Sequence, residues 1–168
     1  MSLIRYPLRK RDVKNLLEEF SRIFGNEIRG IFGSKPKIEV AKISRGEIFI
    51  VNDKPVLLKV EGTIIPALTF SPLINVLPKA IVDMGAVPHI CNGADVMVPG
   101  IVEIEGQFRE GDSVAVLDEK HRKAISVTRA LMHSDAIKLL KRGKALKNLH
   151  YVGDGFWKTI KTLQKRKS

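Results

Sequence analysis

The chain is 168 residues long, 44% hydrophobic and 28% charged, with a formal net charge of +11 and a single cysteine. That length suits one larger domain or two small ones, the apolar runs are too short to cross a bilayer, and Cys91 cannot form an internal disulfide. The charge is uneven: residues 1–119 hold 15 Lys/Arg and 16 Asp/Glu, a net of −1, whereas residues 120–168 hold 14 and 2, a net of +12. A basic last third is the electrostatic footprint of a protein that meets polyphosphate. The alternatives are a solvated basic face or a tail recruited by an acidic protein. The start, MSLIRYPLRKRD, lacks the apolar core and small-residue cleavage site of a secretory signal, so a cytoplasmic protein is expected.

The first element in chain order is a helix. From Arg9 to Phe24 the apolar residues Val13, Leu16, Leu17, Phe20, Ile23 and Phe24 recur at spacings of three and four, with Gly25 and Asn26 as a stop. From Lys37 the pattern becomes a meander of short strands, Ile38–Ile43, residues 47–51 and residues 55–60, separated by the turn sequences Ser44-Arg45-Gly46 and Asn52-Asp53-Lys54. A fourth extended segment, residues 64–70, contains Pro66, which suits an edge or a bend. Residues 1–76 are thus expected to form an α+β domain, a helix on a small antiparallel sheet.

The second half is richer in turns. Residues 79–83, 95–98, 101–105, 113–117, 124–128 and 145–152 read as strands, residues 85–91 as an irregular helical turn, and residues 113–128 as a hairpin. Ser134 sits where an N-cap belongs and Gly143 where a C′ residue belongs. Gly153-Asp154-Gly155 reads as a turn. Many short strands with one or two short helices in so few residues predict a small closed or nearly closed mixed β-barrel over residues 77–158. Residues 159–168 are left as a basic tail, with Lys165 to Ser168 frayed.

Val82-Asp83-Met84-Gly85-Ala86, followed by Gly93-Ala94-Asp95-Val96-Met97-Val98-Pro99-Gly100-Ile101, resembles the signature of the PUA domain. That RNA-binding module is shared by pseudouridine synthases and archaeosine transglycosylases. The residues have physical tasks: Gly85 and Gly93 can take positive φ where the chain turns sharply. Ala86 and Ala94 leave no side chain to block another backbone, and Pro99-Gly100 sets a tight turn. A small-residue loop with exposed N–H groups, beside basic side chains, can approach a sugar-phosphate backbone closely.

The resemblance continues through Lys141-Arg142-Gly143-Lys144-Ala145 and His150-Tyr151-Val152-Gly153-Asp154-Gly155-Phe156-Trp157. These are similar to the end of the PUA domain in the malignant T-cell-amplified sequence family, its archaeal relatives and the related half of ligatin. Residues 37–68 are similar to the small domain that precedes PUA in the same proteins. Abundant Lys, Ile and Val with few Gln suit a thermophilic archaeon. The resemblance implies a noncatalytic translation factor that acts on the small ribosomal subunit, in initiation, reinitiation or tRNA release. Its PUA domain would face the tRNA acceptor end or rRNA. It also implies a density-regulated-protein-like or initiation-factor partner. A PUA-type ribosome-assembly factor, an accessory subunit of an RNA-modifying enzyme and a pure protein adaptor are the alternatives. Nothing in the sequence demands more than a monomer.

On that basis the expected RNA contacts begin with Met84, Gly85, Ala86, His89, Asn92, Gly93, Ala94 and Asp95, acting through backbone N–H groups and the Asn92 amide. Asp95 reads better as a turn-maker, because a carboxylate repels phosphate. His89 suits either stacking on a terminal base or a capping role. Lys141, Arg142, Lys144 and Lys147 suit phosphates, with Arg122, Lys123 and Arg129 behind them. Of His150 and Tyr151, one is expected to stack on RNA, with core packing the simpler reading of Tyr151. Trp157 and Cys91 read as packing. Catalysis and cofactors find no support. The four histidines, His89, His121, His133 and His150, lack ligand spacing, no Cys/His pattern suits zinc, and Gly30–Lys35 has the wrong glycine spacing for a phosphate-binding loop.

Overall fold

Residues 3–166 are described by the computed structural model, in which the chain divides into two units. One comprises the chain up to Pro66 together with the residues from Ile160 on, and the other comprises Ala67–Thr159.

The first unit runs β1 (Ile4–Pro7), α1 (Lys10–Phe24), α2 (Glu27–Phe32), β2 (Ile38–Ile43), β3 (Gly46–Val51), β4 (Lys54–Val60) and β5 (Thr63–Pro66). The five strands form an antiparallel sheet in chain order. The stripe on α1 packs as its spacing predicts: Leu17 and Phe20 are buried, and the Phe20 ring meets that of Phe49 on β3 edge-on at 5.5 Å. Asn52 and Asp53, at φ of 49° and 70°, make the tight turn from β3 to β4. The Asn52 side chain also accepts from the Lys37 N–H (3.1 Å) and donates to the Phe32 carbonyl (3.0 Å), tying the end of α2 to that turn. Strand β1 and helix α2 were not expected. All four residues of β1 are exposed, so it shows no alternation; it is held along β2 with the Arg5 guanidinium on Glu39 at 2.8 Å. The unit is α+β, as expected.

The second unit contains α3 (Ser71–Ile74), β6 (Lys79–Val82), α4 (Val87–Ile90), β7 (Val96–Met97), a 3₁₀ turn (Val98–Gly100), β8 (Ile101–Glu105), β9 (Ser113–Asp118), β10 (Ala124–Ala130), α5 (Ser134–Leu139), β11 (Lys144–Tyr151) and the start of α6 (Gly155–Lys165). Its sheet has the order β7-β11-β10-β9-β6-β8, with β6 parallel to β9 and the other neighbours antiparallel. The mixed sheet curls into a half-barrel, bent by bulges in the β9–β10 and β10–β11 ladders. Val82, Val96, Phe108, Val116 and Leu146 fill its interior, with α4 and α5 contributing Ile90 and Ile137.

Three local expectations change. The N-cap of α5 is His133, whose imidazole accepts the Asp135 N–H at 3.1 Å. Ser134 is buried, and its hydroxyl accepts from the Phe108 N–H instead. Gly143, at φ of 111°, is not the C′ residue of α5, which ends at Leu139; it lies in the turn into β11, where its carbonyl accepts the Val98 N–H at 2.8 Å. Residues 159–165, expected within a basic tail, are the later turns of α6, because Phe156, Ile160 and Leu163 recur at helical spacing and are all buried. Lys167 and Ser168, the end of the segment expected to fray, lie outside the described residues. Among the described residues no helix is long and apolar enough to cross a membrane.

Candidate nucleic-acid interface

The loop after β6 is shaped by Asp83, whose carboxylate accepts the Ala86 N–H at 2.8 Å and starts α4, while its own N–H donates to the Gly100 carbonyl at 2.9 Å. Gly100 and Ala86 must both be small, since a Cβ on Gly100 would stand 3.3 Å from the Ala86 methyl. After α4 the chain reverses at Gly93, at φ of 98°. Gly85, expected to share that conformation, does not adopt it.

The loop does not present a row of free N–H groups. Met84 donates to Glu119, Ala86 to Asp83, Asn92 and Ala94 to the His89 carbonyl, and Gly93 to the Ile90 carbonyl. Each of these five N–H groups already has an acceptor within the fold, which corrects the expected backbone contact at these positions. At these five positions what remains for a ligand is the shape of the loop and its side chains.

That shape is a cleft of about 550 Å³ lined by Ala86, His89, Ile90, Gly93, Ala94, Asp95, Val96, Met97, Gly100 and Lys144. The volume lies in the roughly 300–1,000 Å³ range of small-ligand clefts. Six of the expected residues meet there: Ala86, His89, Gly93, Ala94, Asp95 and Lys144. His89 is exposed at its mouth, Ile90 and Val96 give an apolar floor, and Lys144 supplies a cation, its Nζ 3.5 Å from Asp95. Asp95, expected to make a turn, instead ties the start of β7 to β11: its other oxygen accepts the Asn148 N–H at 2.9 Å.

Asn148 itself was missed. Its amide donates to the carbonyls of Ile90 and Ala94, each at 3.0 Å, and accepts from the Ser126 hydroxyl at 2.8 Å, clasping the α4–β7 loop to β11. An asparagine inside a strand, at a bulge, was the available signal. Tyr151 packs beneath Gly93, where a Cβ would stand 3.4 Å from its hydroxyl. Gly93→Ala is therefore expected to lower the stability of this unit by about 1–2 kcal/mol through its positive φ. Urea unfolding checks this; a neutral substitution would mean the turn relaxes freely.

Other expected contacts lie elsewhere. Met84, Gly85 and Asn92 are exposed in the flanking loops. Arg122 and Lys123 stand on the β9–β10 turn, and the Arg122 guanidinium is committed to Glu103 and Glu105 at 2.8 and 2.7 Å. Lys141 and Arg142 are exposed between α5 and β11, and Lys147 and Arg129 are half-buried on their strands. His150 is corrected outright: it has no exposed surface, so it cannot stack on RNA. Its Nε2 accepts the Leu68 N–H at 3.2 Å, which leaves the proton on Nδ1 to donate to Asp154 at 2.9 Å. Burial raises the Asp154 carboxyl, but the bonds from His150 and from the Trp157 and Tyr151 N–H groups outweigh it and hold its pKa below the ordinary value. Cys91 is half-buried against the core, and burial pushes its thiol up. Among the described residues no cluster of three or more His, Cys, Asp or Glu could hold a metal.

Residues 78–152 match the PUA domain, and residues 4–71 match a domain of unknown function, DUF1947. An uncharacterized protein of Methanocaldococcus jannaschii is 42% identical over 91% of this chain and 94% of its own. Malignant T-cell-amplified sequence 1 of Danio rerio is 30% identical, with 88% of this chain and 84% of that protein covered. Translation machinery-associated protein 20 of Schizosaccharomyces pombe is 31% identical over 67% and 66% of the two. With both modules matched in order and relatives at this identity along nearly its whole length, the chain belongs to the PUA-domain family of malignant T-cell-amplified sequence 1.

Proposed function

We propose that this protein is a noncatalytic, cytoplasmic RNA-binding factor of the translation machinery that engages the tRNA acceptor end, or rRNA, on the small ribosomal subunit. The observation that carries the reading is the cleft, in which His89, the Gly93-Ala94 turn and Lys144 converge from three segments on an apolar floor. A single unpaired nucleotide meets its needs there: apolar walls for the base, His89 to stack, and a lysine for the phosphate. The net positive charge of residues 120–168 attracts the rest of the RNA without reading sequence. The name of the fission-yeast relative supports the link to translation. A density-regulated-protein-like or initiation-factor partner would complete the assembly, with the N-terminal unit available for it.

Binding of the purified protein to deacylated tRNA, with and without the 3′-terminal nucleotides, tests this across a salt series. Trimming is expected to weaken binding by about tenfold or more, the worth of one stacked base. Affinity that falls with salt but ignores the terminus would leave only generic electrostatics and sink the acceptor-end reading.

A further inference from the structure

A groove of about 250 Å³ belongs to the first unit and lies between α1 and the sheet. Its floor is apolar: Leu16 is half-buried, and Val40 and Phe49 are buried. Asp12, Asn15 and Glu19, spaced three and four apart, turn one side of α1 to it, and Glu47 lines it from β3. Lys59 is the one cation among the lining residues. That balance runs against the surrounding sequence, since residues 1–66 hold 13 Lys/Arg and 8 Asp/Glu. Among the described residues, none of the three lining carboxylates is bonded to another group of the fold.

Three acids repel phosphate, so this groove does not suit RNA. Nor do they converge on a point: among the described residues no three acidic, histidine or cysteine side chains could hold one metal ion. The fitting occupant is a cation that spreads its charge between carboxylates and lays an apolar stem on the floor. A guanidinium on its three-carbon stem does both. The Tyr6 ring at the rim already draws a cation, the Lys42 ammonium 5.6 Å from its centroid, and a guanidinium stacks on such a ring more readily. The volume lies below the roughly 300–1,000 Å³ of small-ligand clefts and suits a single side chain. We propose that the groove docks a basic segment of a partner protein by taking one arginine, its stem along Leu16 and its guanidinium toward Glu19 and Glu47. A neighbouring cation of the same segment reaches Asp12. This does not depend on the reading of the cleft; it gives the first unit a protein partner of defined chemistry.

The test titrates the full chain against a dye-labelled peptide of alternating glycine and arginine, read by fluorescence anisotropy. A lysine counterpart and a citrulline counterpart, which keeps the shape and loses the charge, stand beside it. The arginine peptide is expected to bind although the chain as a whole is cationic. The lysine peptide should bind several-fold more weakly, and the citrulline peptide should not bind. Glu19→Gln/Glu47→Gln keeps both side-chain volumes and should weaken the arginine peptide about tenfold, the worth of two half-exposed ion pairs. If that variant also lowers the unfolding midpoint, amide chemical shifts of the unaltered protein decide. Movement at Tyr6, Leu16, Glu19 and Phe49 on adding the arginine peptide supports the site, and movement confined to other residues overturns it. Absent binding, equal binding of the lysine peptide, or unchanged affinity in the variant would each overturn it as well. Displacement of the peptide by magnesium at constant ionic strength would assign the carboxylates to a metal and overturn it. A variant that loses affinity for deacylated tRNA and keeps it for the peptide would assign the groove to RNA and do the same.

Discussion

Asp154→Ala is expected to destabilise the second unit by about 3–5 kcal/mol, the usual effect of removing one member of a buried, charge-assisted network. Asp154 is 3% exposed, and its two oxygens accept three bonds: from His150 Nδ1 at 2.9 Å, from the Tyr151 N–H at 3.0 Å and from the Trp157 N–H at 2.8 Å. The last caps α6. Alanine strands all three donors. Asparagine can keep the Trp157 bond, but its NH₂ would face the His150 and Tyr151 donors, so it should recover only part of the loss. The imidazole cannot adapt by moving its proton, because Nε2 would then turn a donor toward the Leu68 N–H. The effect carries a pH signature. A carboxyl held below its ordinary value contributes stability that is fully present above the unfolded pKa of about 3.9 and is lost as pH falls through the lower folded value. The gap between Asp154→Ala and the unaltered protein should therefore be widest near neutrality and narrow below about pH 4. Urea unfolding at a series of pH values measures it. A gap that stays constant down to pH 3 would remove the carboxylate from the account.

Asn148→Ala is the second large effect, about 2–4 kcal/mol with a looser cleft. It leaves the carbonyls of Ile90 and Ala94 and the Ser126 hydroxyl without their partner. Asn148→Asp should be worse, since it sets a carboxylate against two carbonyl oxygens. Hydrogen exchange supplies the specific readout: the Gly93 and Ala94 amides, which close the turn beside the cleft, should exchange faster in both variants. RNA affinity should fall in parallel. Unchanged exchange at those two amides would mean that the turn holds itself and that Asn148 only fills space.

What could be read in the sequence follows the range of the forces involved. Helix α1 and strands β2, β3 and β4 were legible because their periodicity and turn residues are local. Strand β1 carries no such signal, and only its ladder along β2 makes it a strand. Helix α6 was written in the sequence as an Asp cap before Phe156, Ile160 and Leu163, but two glycines and a run of lysines disguised it as turn and tail. The parallel pairing of β6 with β9 depends on chain reversals far apart and could not be read from either strand. The site divides in the same way. The small residues of the signature told where the chain turns, and the cleft gathers Ala86, Gly93 and Ala94 with His89 and Lys144. That the amides of the loop are already bonded depends on local geometry the letters do not give. The Asn148 clasp joins residues 54 and 58 positions apart, beyond any local pattern.

The half-barrel stops short of closing, and among the described residues its outermost strands β7 and β8 each keep one edge without a neighbour in the sheet order. An open edge is a template on which a second molecule can add its own strand. Here β7 is 2 residues long, and β8 turns Glu103 and Glu105 outward, both held by Arg122. The first is too short to nucleate pairing, and the second would set Glu103 against Glu105 in an antiparallel self-match centred on Ile104. Two copies brought side by side would thus meet at edges that disfavour pairing.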